Sequence, residues 1–71
     1  MSQRAVEILV TKYNFNKNDA ERYVSEIFNI IDSETKEKGY KPITEEKKAD
    51  FAVAGVEALK QFVKEIAEGL K

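Results

Sequence analysis

Apolar residues recur along this chain with the period of a helix. The first stripe keeps the i, i+3, i+4, i+7 spacing and consists of Val6, Leu9, Val10 and Tyr13. Two longer helical stripes follow, and no segment shows the strict alternation of a β-strand. The pattern predicts an all-α fold, a helical hairpin followed by a long C-terminal helix, in a single domain covering residues 1–71. The helices are expected over residues 3–13, 17–38 and 45–70.

The polar corner at residues 14–19 reads as the end of one helix and the start of the next. Asn14 can adopt the left-handed conformation that ends a helix. Asn16 is a good N-cap, and Asp19 places a carboxylate near the free amides of the first turn. Phe15 precedes the cap, in the position of a hydrophobic staple. The three asparagines are therefore interpreted as corner residues.

Other turn and cap signals mark the remaining helix ends. Ser2 is expected to cap the first helix, Gly39 to end the second, and Thr44 to cap the third after Pro42 has prevented an immediate restart. Gly55 lies inside the third helix, where it costs about 1 kcal/mol relative to Ala. We therefore expect a close packing contact or a bend at Gly55.

The apolar stripes of the second and third helices are wider than a single helical neighbour requires. Three helices of one chain would leave a patch larger than a soluble monomer usually exposes, and two-fold pairing is the commonest way to bury such a patch. The sequence predicts a homodimer, a dimeric helical bundle that can also bind another protein. The predicted dimer or partner interface consists of Tyr23, Ile27, Phe28, Ile30, Phe51, Phe62, Val63 and Ile66.

The amino-acid composition limits the classes of function that this chain can have. The 71 residues carry a net charge of −1 and contain neither Cys nor His. Disulfides and the usual soft metal ligands are therefore missing, and a core this small favours self-association as the remaining means of stabilisation. We expect no enzyme, no cofactor and no metal site, because no nucleophile–base pair or phosphate loop can be found. The sequence shows no signal peptide and no membrane-spanning run, which favours a cytoplasmic protein.

Lysines cluster around the second corner, with Tyr40 among them. Exposed lysines beside an aromatic ring can contact phosphates. Interleaved glutamates leave only a small local excess of positive charge, so the leading interpretation is a small helical regulator or adaptor that binds protein. The alternative is a nucleic-acid-associated protein. Its expected contacts are Lys36, Lys38, Lys41, Lys47 and Lys48.

Two segments resemble the bacterial histone-like HU and integration host factor family. The first is N-F-N-K-N-D-A-E-R-Y-V-S-E-I-F-N-I-I from Asn14 to Ile31, and the second is F-A-V-A-G-V-E-A-L-K-Q-F-V-K from Phe51 to Lys64. The resemblance implies a dimeric helical core. That family carries a β-sheet and two DNA-binding arms between its helices, and residues 40–50 contain no counterpart of the sheet, the arms or the Gly-Phe-Gly signature. No DNA-contacting residue is therefore transferred.

Overall fold

The computed structural model describes residues 3–69, and it confirms the all-α prediction. The chain forms α1 (Gln3–Tyr13), α2 (Lys17–Lys38) and α3 (Glu45–Gly69), and the described residues contain no strand. The predicted bounds agree with these helices wherever they can be compared. Residue 70, expected to end the third helix, and Ser2, expected to cap the first, lie outside the described residues.

The first corner has the predicted local geometry. Asn14 adopts a positive φ of 64°, the left-handed conformation that ends α1. The Asn16 side chain accepts a hydrogen bond of 2.8 Å from the backbone N–H of Asn18, which satisfies one of the free amides at the start of α2. Asp19 lies in the first turn of the same helix. The interpretation of the asparagines as corner residues is confirmed.

The second corner is also formed by its predicted residues. Gly39 has a φ of 72° and donates its backbone N–H to the Lys36 carbonyl at the end of α2. The side-chain oxygen of Thr44 accepts from the backbone N–H of Lys47 at 3.2 Å, so Thr44 caps α3 as expected. The end of α2 and the start of α3 are therefore each formed by a hydrogen bond between residues less than one helical turn apart.

Polar contacts between side chains establish the relative directions of the three helices. Arg4 lies 3.8 Å from both Glu46 and Asp50, and Tyr13 at the other end of α1 donates a hydrogen bond to Glu57, so α1 is parallel to α3. In contrast, α2 is antiparallel to α3. Its early residue Tyr23 bonds to Ala52 and its later residue Asp32 pairs with Lys48, at 2.7 and 2.9 Å.

The third helix extends beyond the region in which the other two helices pack against it. The Lys60 ammonium lies 5.6 Å from the centre of the Tyr13 ring, at the C-terminal end of α1. Residues 61–69 continue the helix for roughly 13 Å beyond that level. The described part of the chain therefore has an elongated shape of 45 × 26 × 16 Å.

The hydrophobic core is small. Among residues 3–69, only Leu9 and Val24 are large side chains with complete burial. Four of the nine buried apolar residues are alanines, which contribute little buried area each. The core consists of Ala5, Val6, Leu9, Ala20, Val24, Phe28, Ala49, Ala52 and Val56.

Gly55 has the close packing contact that its position predicted. A Cβ atom added at Gly55 would lie 2.8 Å from the Tyr23 hydroxyl oxygen, too close for an ordinary contact. That hydroxyl donates a 2.7 Å hydrogen bond to the Ala52 carbonyl. Burial raises the pKa of the Tyr23 phenol above its ordinary value of 10.0, because it disfavours the phenolate. The glycine therefore makes room for a hydrogen bond that joins α2 to α3.

We expect Gly55→Ala to be neutral or destabilising in the native background, but stabilising by about 1 kcal/mol when Tyr23 is replaced by Phe. Alanine gains about 1 kcal/mol of helix propensity over glycine. In the native background that gain is offset, because the new methyl group displaces the Tyr23 hydroxyl from its hydrogen bond, worth about 0.5–1.5 kcal/mol. Urea unfolding of the native chain, both single variants and the double variant measures this coupling. An equal effect of Gly55→Ala in both backgrounds would show that the hydroxyl does not limit this position.

Candidate interaction surfaces

One exposed apolar surface lies beside the junction of α2 and α3, and we call it the seam face: Ile27, Ile30 and Phe51. Tyr23, Ile27 and Ile30 follow the i, i+4, i+7 spacing, so they share the side of α2 whose Tyr23 bonds to α3. Phe51 lies one turn before Gly55, on the side of α3 that meets Tyr23. Ile30 is 64% and Phe51 63% exposed, whereas Ile27 is half-buried.

A second exposed apolar surface lies where α3 extends beyond the bundle, and we call it the distal face: Leu59, Phe62, Val63 and Ile66. The i, i+3, i+4, i+7 spacing places the four side chains on one side of the helix. Their exposed fractions are 62, 57, 56 and 48%. Most neighbouring positions outside this stripe are polar, among them Gln61, Lys64 and Glu65. The distal half of α3 is therefore amphipathic, although its apolar side faces solvent.

An open cavity of about 750 Å³ lies beside the distal face, and Leu59 and Val63 of that face line it. The turn between α1 and α2 forms one wall, where the Phe15 and Tyr23 rings lie 6.2 Å apart between centres and are tilted by 50°. The third helix forms the other wall, and Lys60 is the one charged residue in the lining. A concave apolar space of this size accepts bulky apolar side chains. Its lining is Phe15, Tyr23, Gly55, Val56, Leu59, Lys60 and Val63.

Near the cavity, a cluster of polar side chains holds α1 to α3. Tyr13 donates a hydrogen bond to a Glu57 carboxylate oxygen, and the Lys12 ammonium lies 3.4 Å from the same oxygen. The Tyr13 bond lowers the pKa of Glu57 below 4.5, and the same bond raises the pKa of Tyr13 above 10.0. The electrostatic interaction with Tyr13, followed by the hydrogen bond and charge of Glu57, raises the pKa of Lys12. Because all three side chains are solvated, this cluster orients the helices and adds little stability.

The structure separates the predicted interface residues into two groups. Phe28 is only 7% exposed and belongs to the core of its own chain, and Tyr23 is half-buried against α3. Ile27 is also half-buried, whereas the other five are exposed. These exposed residues are Ile30, Phe51, Phe62, Val63 and Ile66.

The interface prediction did not include the cavity. Its walls combine Phe15 with Leu59 and Val63, which lie more than forty positions away along the chain. The sequence pattern assigned Phe15 to a corner staple, and no local signal links it to α3. Only the packing of the helices brings these residues together.

The lysine cluster is also divided by the fold. Lys48 is 9% exposed, and its ammonium lies 2.9 Å from Asp32 and 4.9 Å from the centre of the Phe28 ring. Lys48 therefore joins α3 to α2, and its charge is already paired within the chain. The other four lysines of the predicted nucleic-acid contact are exposed: Lys36, Lys38, Lys41 and Lys47.

Residues 3–69 contain no group of three or more Asp or Glu side chains placed to hold a metal ion. Within the same residues, every helix is too short or too polar to cross a membrane. No protein-family model, curated protein or solved structure significantly matches the chain. The resemblance to the HU and integration host factor family therefore stays a prediction.

Proposed function

We propose that this protein is a small non-enzymatic helical interaction module, a regulator or adaptor that docks an apolar helical surface on another protein chain. The observation that carries the proposal is the set of large apolar side chains on α3, in the seam and distal faces, that are each about half exposed or more. Soluble monomers rarely expose a contiguous patch of more than a few hundred Å², and larger patches mark interaction sites.

The arrangement fits a helix-in-groove mode of recognition. In that mode an amphipathic helix presents anchors at i, i+3, i+4 and i+7, which is the spacing of the distal face. Phe51 and Phe62 provide aromatic anchors, the residue class that is enriched at the centres of protein interfaces. The cavity beside the distal face can receive an apolar side chain of the bound protein.

The nucleic-acid alternative has less support. Lys48 is buried in an ion pair with Asp32, so four of the five predicted lysines remain exposed. The acidic residues Glu34, Glu37 and Glu46 lie in the same region of sequence and reduce the local positive charge. A salt-sensitive complex with a DNA duplex that is lost when the exposed lysines are neutralised would favour this alternative over protein binding.

The proposal can be tested by photo-crosslinking in cells of the native host. A photo-reactive amino acid replaces Phe51 in one variant and Phe62 in another. We expect discrete adducts with a protein chain from these two positions, because each lies on an apolar face. Gln61 is the matched control, since it is exposed and adjacent to Phe62 but lies outside the apolar stripe. Mass spectrometry of the adducts identifies the bound chain. Equal, diffuse labelling from all three positions would contradict a specific docking surface.

A further inference from the structure

The distal face is left uncovered by its own chain. α1 ends near the level of Lys60, whose ammonium lies over the Tyr13 ring, and α3 continues through residues 61–69. Within residues 3–69 the large side chains with complete burial are only Leu9 and Val24, whereas four apolar side chains of the distal face are about half exposed. Four of the eight large apolar side chains that are exposed within these residues thus lie on one side of one helix.

We propose that the distal face is covered by the same face of a second copy of this chain, with the two α3 helices antiparallel about a two-fold axis between Phe62 and Val63. The inference rests on the proposed function, since it names the chain that binds one part of the apolar surface. The seam face lies outside this pairing and stays open to a different protein.

The stripe matches itself when its direction is reversed. An axis between positions 62 and 63 brings Leu59 level with Ile66 of the second copy, and Phe62 level with its Val63. Every apolar residue of the distal face then meets another apolar residue, as an isologous contact requires. About one helical turn from that axis, the flanking residue Ala58 is small, which favours a close approach of the two helices.

The same pairing also places an apolar side chain at the cavity. Leu59 lines the cavity, and Ile66 of the second copy lies opposite Leu59. Each copy thereby offers a projecting isoleucine and receives one at its own cavity wall of Phe15 and Tyr23. A surface that has both a projection and a recess is self-complementary. In a two-fold dimer the projection of each copy fits into the recess of the other, so the contact is made twice.

A second copy fits this surface better than an unrelated occupant for a physical reason. A heterologous partner would leave the distal face in water whenever that partner is absent, whereas a second copy is always present at the protein's own concentration. The net charge of −1 causes little repulsion between two copies. Small domains without disulfides or metals commonly obtain their missing stability from oligomerisation, and this chain contains no cysteine.

The size of the contact sets the expected strength. Two helices that overlap over residues 56–69 share roughly 21 Å of length. A contact of this length is at or below the low end of specific interfaces, which bury about 800 Å² on each partner. We therefore expect a reversible dimer that dissociates in the micromolar range.

Sedimentation equilibrium across low to high micromolar concentration tests the pairing. We expect the mass to rise from one chain to two, and expect Phe62→Lys and Ile66→Lys to remain monomeric over the same range. Gln61→Lys is the matched control, because it adds the same charge beside Phe62 but outside the stripe, and it should dimerise like the native chain. Circular dichroism shows whether each variant keeps its helices. A native chain that is monomeric at every concentration overturns the proposal, as does a folded Ile66→Lys variant that dimerises normally.

Single cysteines test the antiparallel arrangement, since the native chain has none. Val63→Cys lies beside the proposed axis and should form a disulfide with its own copy on oxidation, because disulfides need Cα atoms within about 7 Å. Ile66→Cys alone should not form a disulfide-linked dimer. When it is mixed with Leu59→Cys, a disulfide between the two variants should form. Self-crosslinking of Ile66→Cys without the mixed product would overturn the antiparallel arrangement.

Failure of this pairing and failure of the proposed function give different results. A monomeric native chain that still forms discrete photo-adducts with another protein from Phe51 or Phe62 overturns only the second copy as occupant. Adducts from Phe62 that contain only this chain, together with the predicted mass change, support the pairing. Loss of discrete adducts from Phe51 in the same experiment would contradict a separate partner on the seam face.

Discussion

Leu9→Ala is expected to destabilise this protein by about 2–5 kcal/mol, the usual cost of removing a buried leucine side chain. Leu9 is completely buried in the cluster that joins α1 to the other two helices. A single small core rarely supplies more than about 3–5 kcal/mol, so this one substitution removes most of the available stability. Thermal unfolding followed by circular dichroism should show a large loss of helix at ambient temperature.

Ile30→Ala is the matched control for Leu9→Ala. It removes a side chain of equal size from α2, but Ile30 is 64% exposed, so we expect a change of less than about 0.5 kcal/mol. All melts must be compared at one protein concentration, because the proposed self-association would make the melting temperature depend on concentration. A Leu9→Ala variant that melts like the native chain would show that the cluster around Leu9 does not hold the fold together.

Phe28→Ala is expected to cost about 3–5 kcal/mol, the usual range for a buried aromatic residue. The Phe28 ring fills part of the core and also lies 4.9 Å from the Lys48 ammonium. Its removal leaves a cavity and takes away the face on which the lysine stem and charge rest. Urea unfolding followed by circular dichroism measures the loss of stability.

The Lys48→Met variant distinguishes the contribution of the lysine charge to stability from the contribution of the side chain's packing against Phe28. Methionine retains a long apolar stem over Phe28 and loses the ion pair to Asp32, whose side chain is 58% exposed. Because the Asp32 carboxylate is more than half exposed, it stays hydrated when it loses this partner, so we expect a change in stability of no more than about 1 kcal/mol. If Lys48→Met destabilised the protein as much as Phe28→Ala, the ion pair and not the ring would hold α2 to α3 here. If neither variant altered stability, Phe28 would not be a core residue.

Sequence reasoning worked best at the corners, because the interactions there lie within one helical turn. Asn14, Asn16, Gly39 and Thr44 each act through their own φ angle or a bond to a residue two or three positions away. A local sequence pattern contains all the participants in such an interaction. The helix bounds and the all-α fold therefore follow from the order of residues alone.

Gly55 marks the limit of that reasoning. Its place inside a helix indicated that something packs closely against it, but Tyr23, which does so, lies 32 positions earlier in the chain. No helical period connects the two residues. Sequence analysis could thus identify the position and not its neighbour.

By itself, the sequence determined where the helices begin and end and that their apolar faces exceed what one chain can bury. Only the tertiary structure decided which apolar residues are buried, since that depends on helix direction and length. Packing α2 against α3 placed Phe28 in the core and paired Lys48 with Asp32. Because α3 is longer than the bundle, its last two turns keep Phe62 and Ile66 in solvent, although their pattern matches that of a buried stripe.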